Sequence, residues 1–262
     1  MVHPCPSMFL NDAKPMRGGV VLDLHCHILP NVDDGAFSLE ESLAMARFCV
    51  QDGISHVVAT PHYHRYTRVP RAEILRHVGR LNAALAEAEV PLTILPGSEV
   101  QVTDTSEYRR NFEAGVYCHL GDGRAFTLLE FGWQDEDYPP DAPGLIAWLR
   151  GRGVTPIVAH PERHRFFAAD PARLRALIDA GAWLQVTVDS LLGNHGPEPQ
   201  SAAAELVRTC SDVVLATDAH NLQRCSGLSA GFAWVRDRIG AERSEDLGAR
   251  ADRVLSALLA QP

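Results

Sequence analysis

Val20-Val21-Leu22-Asp23-Leu24-His25-Cys26-His27 joins an apolar run to two imidazoles, and Asp34 follows seven residues later in Val32-Asp33-Asp34-Gly35. In a strand, residues two apart project to one face, so His25 and His27 point together while Cys26 points away. Imidazole and carboxylate are ligands that zinc, manganese and iron accept. The same order, an apolar run and then a ligand-type side chain, recurs along the chain. The run 57–60 leads to His62, 92–95 leads through Pro96-Gly97-Ser98 to Glu99, 126–129 to Glu130, 156–159 to His160, and 213–217 to Asp218 and His220. Nine candidate metal ligands therefore follow six apolar runs. Merely solvated loop groups would scatter between strand starts, strand ends and helix faces, so this concentration at run ends reads as one site.

Seven strands are predicted, over 20–25, 56–60, 92–95, 126–131, 155–160, 183–188 and 212–217. Helical patterns alternate with them at 39–51, 71–88, 106–114, 142–150, 171–180 and 202–209, and two amphipathic helices, 227–240 and 245–259, close the chain. Ser38 with Glu41 is a capping-box signature, and Asp170-Pro171 puts a proline at a first helical position. Near-continuous apolar strands imply a sheet covered on both faces, and the alternation implies parallel pairing, in a barrel or a doubly wound sheet. A parallel barrel places its chemistry around one mouth, at the carboxyl ends of many strands, whereas an open sheet concentrates it at one crevice. Ligands after six of seven runs favour an α/β, TIM-like barrel, as a single domain over 20–262. Residues 1–19, rich in proline and glycine and without periodicity, read as a flexible N-terminal arm that carries no chemistry.

With 262 residues, 46% hydrophobic and 22% charged, the chain is ordinary globular material. No apolar stretch approaches the roughly 20 residues that cross a bilayer, and residues 1–19 lack the apolar segment of a secretion signal, so a cytoplasmic protein without membrane insertion is expected. Six cysteines, with no Cys-x-x-Cys, read as reduced thiols rather than a disulfide framework or zinc-thiolate site. A net charge of −9 argues against a nucleic-acid partner. Divalent ions among Asp34, Glu99, Glu130 and Asp218 would reverse the local sign and let an acidic protein hold an anion. The Pro/Gly/Asp-rich stretch 134–144 reads as a long loop over the barrel mouth, with Trp133, Asp135 and Tyr138 placed to touch a ligand. His64 and His164 are expected to line the pocket; His3, His56, His77, His119 and His195 read as surface or helix histidines.

These residues resemble the PHP superfamily (polymerase and histidinol phosphatase), and within it the bacterial metal-dependent protein-tyrosine phosphatases of capsule and exopolysaccharide loci, the CpsB/CapC type. The resemblance spans about residues 20–225 and rests on Asp23-Leu24-His25-Cys26-His27 with Asp33-Asp34-Gly35, Ala59-Thr60-Pro61-His62, Pro96-Gly97-Ser98-Glu99, Leu129-Glu130-Phe131, Ala159-His160-Pro161-Glu162-Arg163, Gln185-Val186-Thr187, Ser190-Leu191-Leu192-Gly193 and Thr217-Asp218-Ala219-His220. It implies a distorted seven-stranded (β/α) barrel, the PHP fold, and three divalent metal ions, manganese first, with iron or zinc as alternatives. The implied ligand sets are His25, His27, Glu99 and Asp218; Glu99, Glu130 and His160; and Asp34, His62 and His220. It further implies Arg163 as a holder of the phosphate. Arg224 is the nearest candidate for a second arginine, one residue short of the family position, where this chain has Cys225; Arg65 and Arg68 are substitutes. The implied substrate is phosphotyrosine in the C-terminal tail of a bacterial tyrosine autokinase, attacked by a metal-activated hydroxide. A homo-oligomer is compatible with this reading.

Rival readings have their own features. Cys118-His119-Leu120-Gly121-Asp122-Gly123-Arg124 satisfies the Cys-x5-Arg spacing of cysteine phosphatases, but Tyr117 precedes it and a thiolate nucleophile leaves the nine ligands unexplained. A lysine-bridged amidohydrolase is set aside because Lys14, in the arm, is the only lysine. Histidinol-phosphate phosphatase or another small phosphomonoesterase shares the expected ligands, since loops set the substrate. A barrel that binds a phosphoprotein without hydrolysing it is the non-enzymatic alternative.

Overall fold

The computed structural model describes residues 21–260, so the arm expected over 1–19 and residue 20 of the first predicted strand lie outside the described residues. Strands β1 (Val21–Cys26), β2 (Ile54–Ala59), β3 (His62–Tyr63), β4 (Thr93–Pro96), β5 (Glu99–Val102), β6 (Phe126–Phe131), β7 (Thr155–Ala159), β8 (Trp183–Thr187) and β9 (Val213–Ala216) pair in parallel throughout. They form a three-stranded sheet, β1-β2-β4, and a six-stranded sheet, β3-β5-β6-β7-β8-β9.

Two of the expected strands, 56–60 and 92–95, are each followed by a further short strand that lies beyond the predicted range. β2 continues as β3 after Thr60-Pro61, and β4 continues as β5 after Gly97-Ser98, with β2 paired to β4 and β3 to β5. Pro61 has no N–H to give a ladder. At Gly97 a Cβ would stand 2.7 Å from Val58 Cγ1, so the backbone kinks where only glycine fits. The circle closes where Cys26 bridges Ala219, with His27 N donating to Ala219 O (2.8 Å) and Asp218 N to His25 O (2.9 Å). The seven strand positions read from the sequence thus make one parallel barrel.

Helices α1 (Leu39–Gln51), α2 (Arg71–Glu87), α3 (Thr105–Glu113), α4 (Ala142–Arg150), α5 (Arg165–Ala169), α6 (Pro171–Asp179), α7 (Val188–Leu192), α8 (Pro197–Thr209), α9 (Leu228–Arg238) and α10 (Ala241–Leu259) complete the described chain. Ser38 Oγ accepts from Glu41 N at 3.2 Å, while Glu41 Oε2 takes the N–H of Phe37 rather than that of Ser38. Helix α8 starts five residues before its predicted start, because Gly196 at φ 96° followed by Pro197 sets the first turn. The stretch 134–144 is not one loop: a 3-10 turn occupies Asp135–Asp137 and α4 begins at Ala142. No described helix is long and apolar enough to cross a membrane.

Strands β6, β7 and β9 are buried along their whole length, as expected of a sheet covered on both faces. A larger apolar cluster packs between strands and helices, and a smaller one gathers Leu22, Leu24, Val58, Leu128, Ile157 and Val214 with Val254, Leu255 and Leu258 of α10. Leu128 stands two residues before Glu130 on the same face of β6, so this plug lies beneath the candidate site. Each fully buried leucine contributes about 1.5–3 kcal/mol. In β1 the register against β2 shifts between Asp23 and Cys26. That irregularity re-aims the strand, so that Leu24 reaches the plug while His25 still enters the polar cluster above it.

Candidate metal centre

All nine predicted ligand residues converge at the carboxyl ends of the strands. His27, Asp34, His62 and His220 form one group of potential ligands; His25, His27 and Asp218 a second; His25, Glu99 and His160 a third; His62, Glu99 and Glu130 a fourth. Glu99 sits at the hub. Its Oε1 is 2.9 Å from His160 Nε2, and its Oε2 is 2.9 Å from His62 Nδ1, 3.5 Å from His25 Nε2 and 3.6 Å from His27 Nε2. Asp34 Oδ1 lies 3.3 Å from His62 Nε2 and 3.5 Å from His220 Nε2. Glu130 Oε1 is 3.8 Å from His160 Nε2. Compared with the implied partition, His25 and His27 each also reach into a neighbouring group, and His62 joins Glu99 and Glu130.

Hydrogen bonds around the cluster fix which atoms face inward. His25 Nδ1 bonds Gln185 Oε1 (3.0 Å) and His27 Nδ1 bonds Asp33 Oδ2 (2.7 Å). Both partners accept, so each Nδ1 carries a hydrogen and each Nε2 faces inward. The two Nε2 atoms stand 3.3 Å apart, and Asp218 Oδ1 lies 3.3 and 3.5 Å from them. Glu99 Oε2 is buried and, despite three imidazoles within reach, makes no hydrogen bond. Imidazole nitrogens and carboxylates packed this closely in a buried cluster form a cation site, and that set of groups fits a divalent ion.

The electrostatics say the same. Burial disfavours the charged form of His27, yet Asp33 outweighs it and holds the ring at about 9. Burial is likewise overcome at His62, which Glu99 and Asp34 raise to about 12. Glu99 itself stays well below the usual carboxylate range against its burial, held there by His25 and His62. Glu130 is pushed up to about 8 by burial and the adjacent Glu99 charge. Protons on His27 and His62 thus occupy the place of cations, whereas burial favours the neutral rings of His160 and His220.

Two of the candidate ligands sit in strained backbone: His160 at φ 32° after β7 and Asp218 at φ 52° after β9. Left-handed conformations are uncommon outside glycine and cluster at functional sites. Gly35 is held to its identity by contact, since a Cβ there would stand 2.0 Å from His27 O.

Arg163 Nη1 donates to Asp218 Oδ2 at 2.6 Å. Arg224 is exposed on the loop after His220, and its charge adds to burial in disfavouring the charged forms of His220 and His195. Cys225, at the position where the family resemblance places an arginine, is half-buried against the core, so the outward place falls to Arg224. Arg68 lies 3.7 Å from Glu107 and Arg65 lies over Tyr66, so neither substitute reaches the cluster through the contacts it makes.

Of the three expected loop contacts, Trp133 borders the site, whereas Asp135 pairs with Arg173 and Tyr138 packs on Phe131, Phe166 and Phe167. His164 does line a cavity there, and so does His195, which its sequence context had placed on the surface. His119, read the same way, is buried against Thr127. Cys118 is buried beside Asp122, and burial together with that carboxylate pushes its thiol far above the ordinary range, while Arg124 lies over Phe112; no thiolate phosphatase loop is formed.

Residues that the sequence reading left without a role stand behind the candidate ligands and hold them. Asp33 Oδ2 also accepts from His62 N (3.0 Å), Gln185 Oε1 from His160 N (3.1 Å), and Gln101 Nε2 donates to Glu130 Oε2 (2.9 Å). Asp23 is buried and bonds both Thr217 N and Thr217 Oγ1, tying β1 to the end of β9; burial lifts it to about 6. Gln185 and Asp33 stood inside quoted motifs, which was the available signal; their partners are set by tertiary contact alone.

The family described as Capsular polysaccharide synthesis, CpsB/CapC, matches residues 21–255. Tyrosine-protein phosphatase YwqE of Bacillus subtilis is 34% identical over 205 residues, 78% of each chain. Tyrosine-protein phosphatase CpsB of Streptococcus pneumoniae is 28% identical over 235 residues, 87% of this chain and 94% of that one. Among solved structures, one from the pair YwqE of Bacillus subtilis and CpsB of Streptococcus pneumoniae, described as unique metal-dependent tyrosine phosphatases, matches with a TM-score of 0.84 at 31% identity, covering 90% of this chain and 94% of that chain.

Proposed function

The chain belongs to the CpsB/CapC family of capsular polysaccharide synthesis, and from that premise we propose that it is a metal-dependent protein-tyrosine phosphatase. Its substrate is phosphotyrosine in the C-terminal tail of a bacterial tyrosine autokinase, in the cytoplasm, and its action regulates capsule and exopolysaccharide synthesis. The observation that carries the reading is the buried convergence of His25 Nε2 and His27 Nε2, 3.3 Å apart, each 3.3–3.6 Å from Asp218 Oδ1 and Glu99 Oε2.

We assign His25, His27, Glu99 and Asp218 to a first cation, Glu99, Glu130 and His160 to a second, and Asp34, His62 and His220 to a third, with manganese as the working metal. When bound, such ions supply Lewis-acid charge to the phosphoryl oxygens and to an attacking water. Asp33 and Gln185 accept from Nδ1 of His27 and His25 and so hold both rings with Nε2 facing inward before any ligand arrives. Arg163 presents a permanent, fork-shaped cation beside Asp218; it turns to the phosphoryl oxygens and stabilises the charge that grows as the P–O bond breaks. Arg224 adds a second positive charge at the rim. The leaving phenolate, with a pKa near ~10, needs less help from an acid than an alkoxide would.

The test is phosphate release from a phosphotyrosine peptide, compared with histidinol phosphate, after chelation and stepwise return of manganese. Preference for the phosphopeptide, lost with chelator and restored by metal, supports the reading. Preference for histidinol phosphate overturns the substrate assignment, and binding without release overturns the enzymatic one.

A further inference from the structure

A cavity of about 350 Å³ opens beside the ligand cluster, and Trp133, Arg163, His164, His195 and Pro199 are among the residues lining it. Trp133 follows Glu130 by three residues, just beyond the end of β6. Its indole stacks on His160 with centroids 5.5 Å apart at 13°, and on His164 at 4.7 Å and 29°. Those two imidazoles are themselves only 5.5 Å apart, so they lie on one side of the indole. The residue is nevertheless 43% exposed, which leaves ring surface facing the cavity.

The cavity also has a charged end. The Arg163 guanidinium carbon stands 5.1 Å from the Trp133 ring centroid, and the same guanidinium bonds Asp218, a member of the ligand cluster. An aromatic wall and an anion holder are therefore adjacent. Phosphotyrosine has the same arrangement, a ring and a phosphoryl group separated by one ester oxygen. On the wall, both ring nitrogens of the buried His164 lack a hydrogen-bond partner, the kind of exception that calls for a bound group. The volume lies at the small end of ligand pockets and suits one side chain rather than a folded peptide segment.

We propose that this cavity receives the phenyl ring of the substrate phosphotyrosine, with Trp133 as the wall that favours aryl over alkyl phosphate esters; the inference rests on the phosphatase reading above. Ring-on-ring contact is worth about twofold to tenfold in affinity beyond the area it buries. A phosphoserine ester, which has no ring, gains nothing from it.

The experiment measures steady-state kinetics of the manganese-loaded protein on a phosphotyrosine peptide, with inorganic phosphate as competitive inhibitor, for the wild type, Trp133→Phe and Trp133→Leu. Metal content is read alongside. Trp133→Leu is expected to raise KM about tenfold while the inhibition constant for phosphate and the metal content stay within about twofold, and Trp133→Phe to recover most of the loss. An unchanged KM in Trp133→Leu overturns the inference. So does a joint rise of KM and the phosphate inhibition constant with loss of metal, because the indole then only props His160. A wild type that releases no phosphate from the peptide removes the phosphatase reading and this inference together, whereas an active wild type with an indifferent Trp133→Leu removes the ring pocket alone.

Discussion

His62 and Glu99 face each other as register partners across the β3–β5 ladder, with His62 Nδ1 2.9 Å from Glu99 Oε2 and no hydrogen bond between them. On its other side His62 Nε2 meets Asp34 Oδ1 at 3.3 Å. An imidazole with a carboxylate at each nitrogen takes up a second proton when nothing else neutralises the pair. Pro61, which interrupts the strand between β2 and β3, is what brings this ring to the register of Glu99.

Metal uptake should therefore release protons. In the metal-free fold His62 is raised to about 12 and His27 to about 9, both above the unfolded value of about 6.5. Their protonated rings stabilise the metal-free protein fully below about 6.5, and that contribution is lost as pH rises through about 9 for His27 and still higher for His62. A bound cation requires neutral rings, so its affinity falls as pH falls. Calorimetry of manganese binding at pH 7.5, in buffers of different ionisation enthalpy, is expected to show at least about one proton released per chain; no release would contradict these assignments.

Asp33→Ala removes the acceptor of His27 Nδ1–H and the partner of His62 N and Gly35 N. Its loss is expected to weaken metal affinity about 10- to 100-fold, with much of the activity returning at high manganese. Chelator competition beside kcat at saturating metal separates these effects. A variant with unchanged affinity would show that Asp33 serves folding alone.

How much of this was legible in the sequence follows from where the signals lie. Apolar runs ending in His, Asp or Glu are local patterns, so the barrel was readable, and so was the meeting of nine candidate ligands at its mouth. The breaks at Pro61 and Gly97 were less so, because a two-residue strand such as β3 has no periodicity of its own. The short helices α5 and α7, five residues each, escaped for the same reason. Gln185 was opaque for a different cause: it meets His25 from 160 residues away, and no spacing rule connects them.

Arg163 and Arg224 are expected to separate in mutant kinetics. Arg163→Ala loses a cation that bonds Asp218 inside the cluster, and kcat/KM on phosphotyrosine peptide should fall about 100-fold or more. Arg224 stands exposed at the rim, and Arg224→Ala should act mainly through KM, by less than about tenfold, with a weaker dependence on salt. Equal losses in both variants would place Arg224 at the phosphoryl group itself.

Cys118→Ala should leave kcat/KM within about twofold of wild type, because the thiol is buried, protonated and beside Asp122. Iodoacetamide should likewise leave activity unchanged under conditions where a chelator abolishes it. Inactivation of the metal-loaded protein by alkylation at Cys118 would revive the thiolate mechanism.

The central claim is that nine residues distant in the chain form one cage of cations required for turnover. Its most direct test counts bound manganese per chain during reconstitution of the stripped protein, with phosphate release from a phosphotyrosine peptide read at each step, for the wild type and His160→Ala. Activity is expected to be absent when stripped, to return as about three ions bind, and to remain deeply defective in His160→Ala. Full turnover by the metal-free protein, or by His160→Ala, would contradict the account.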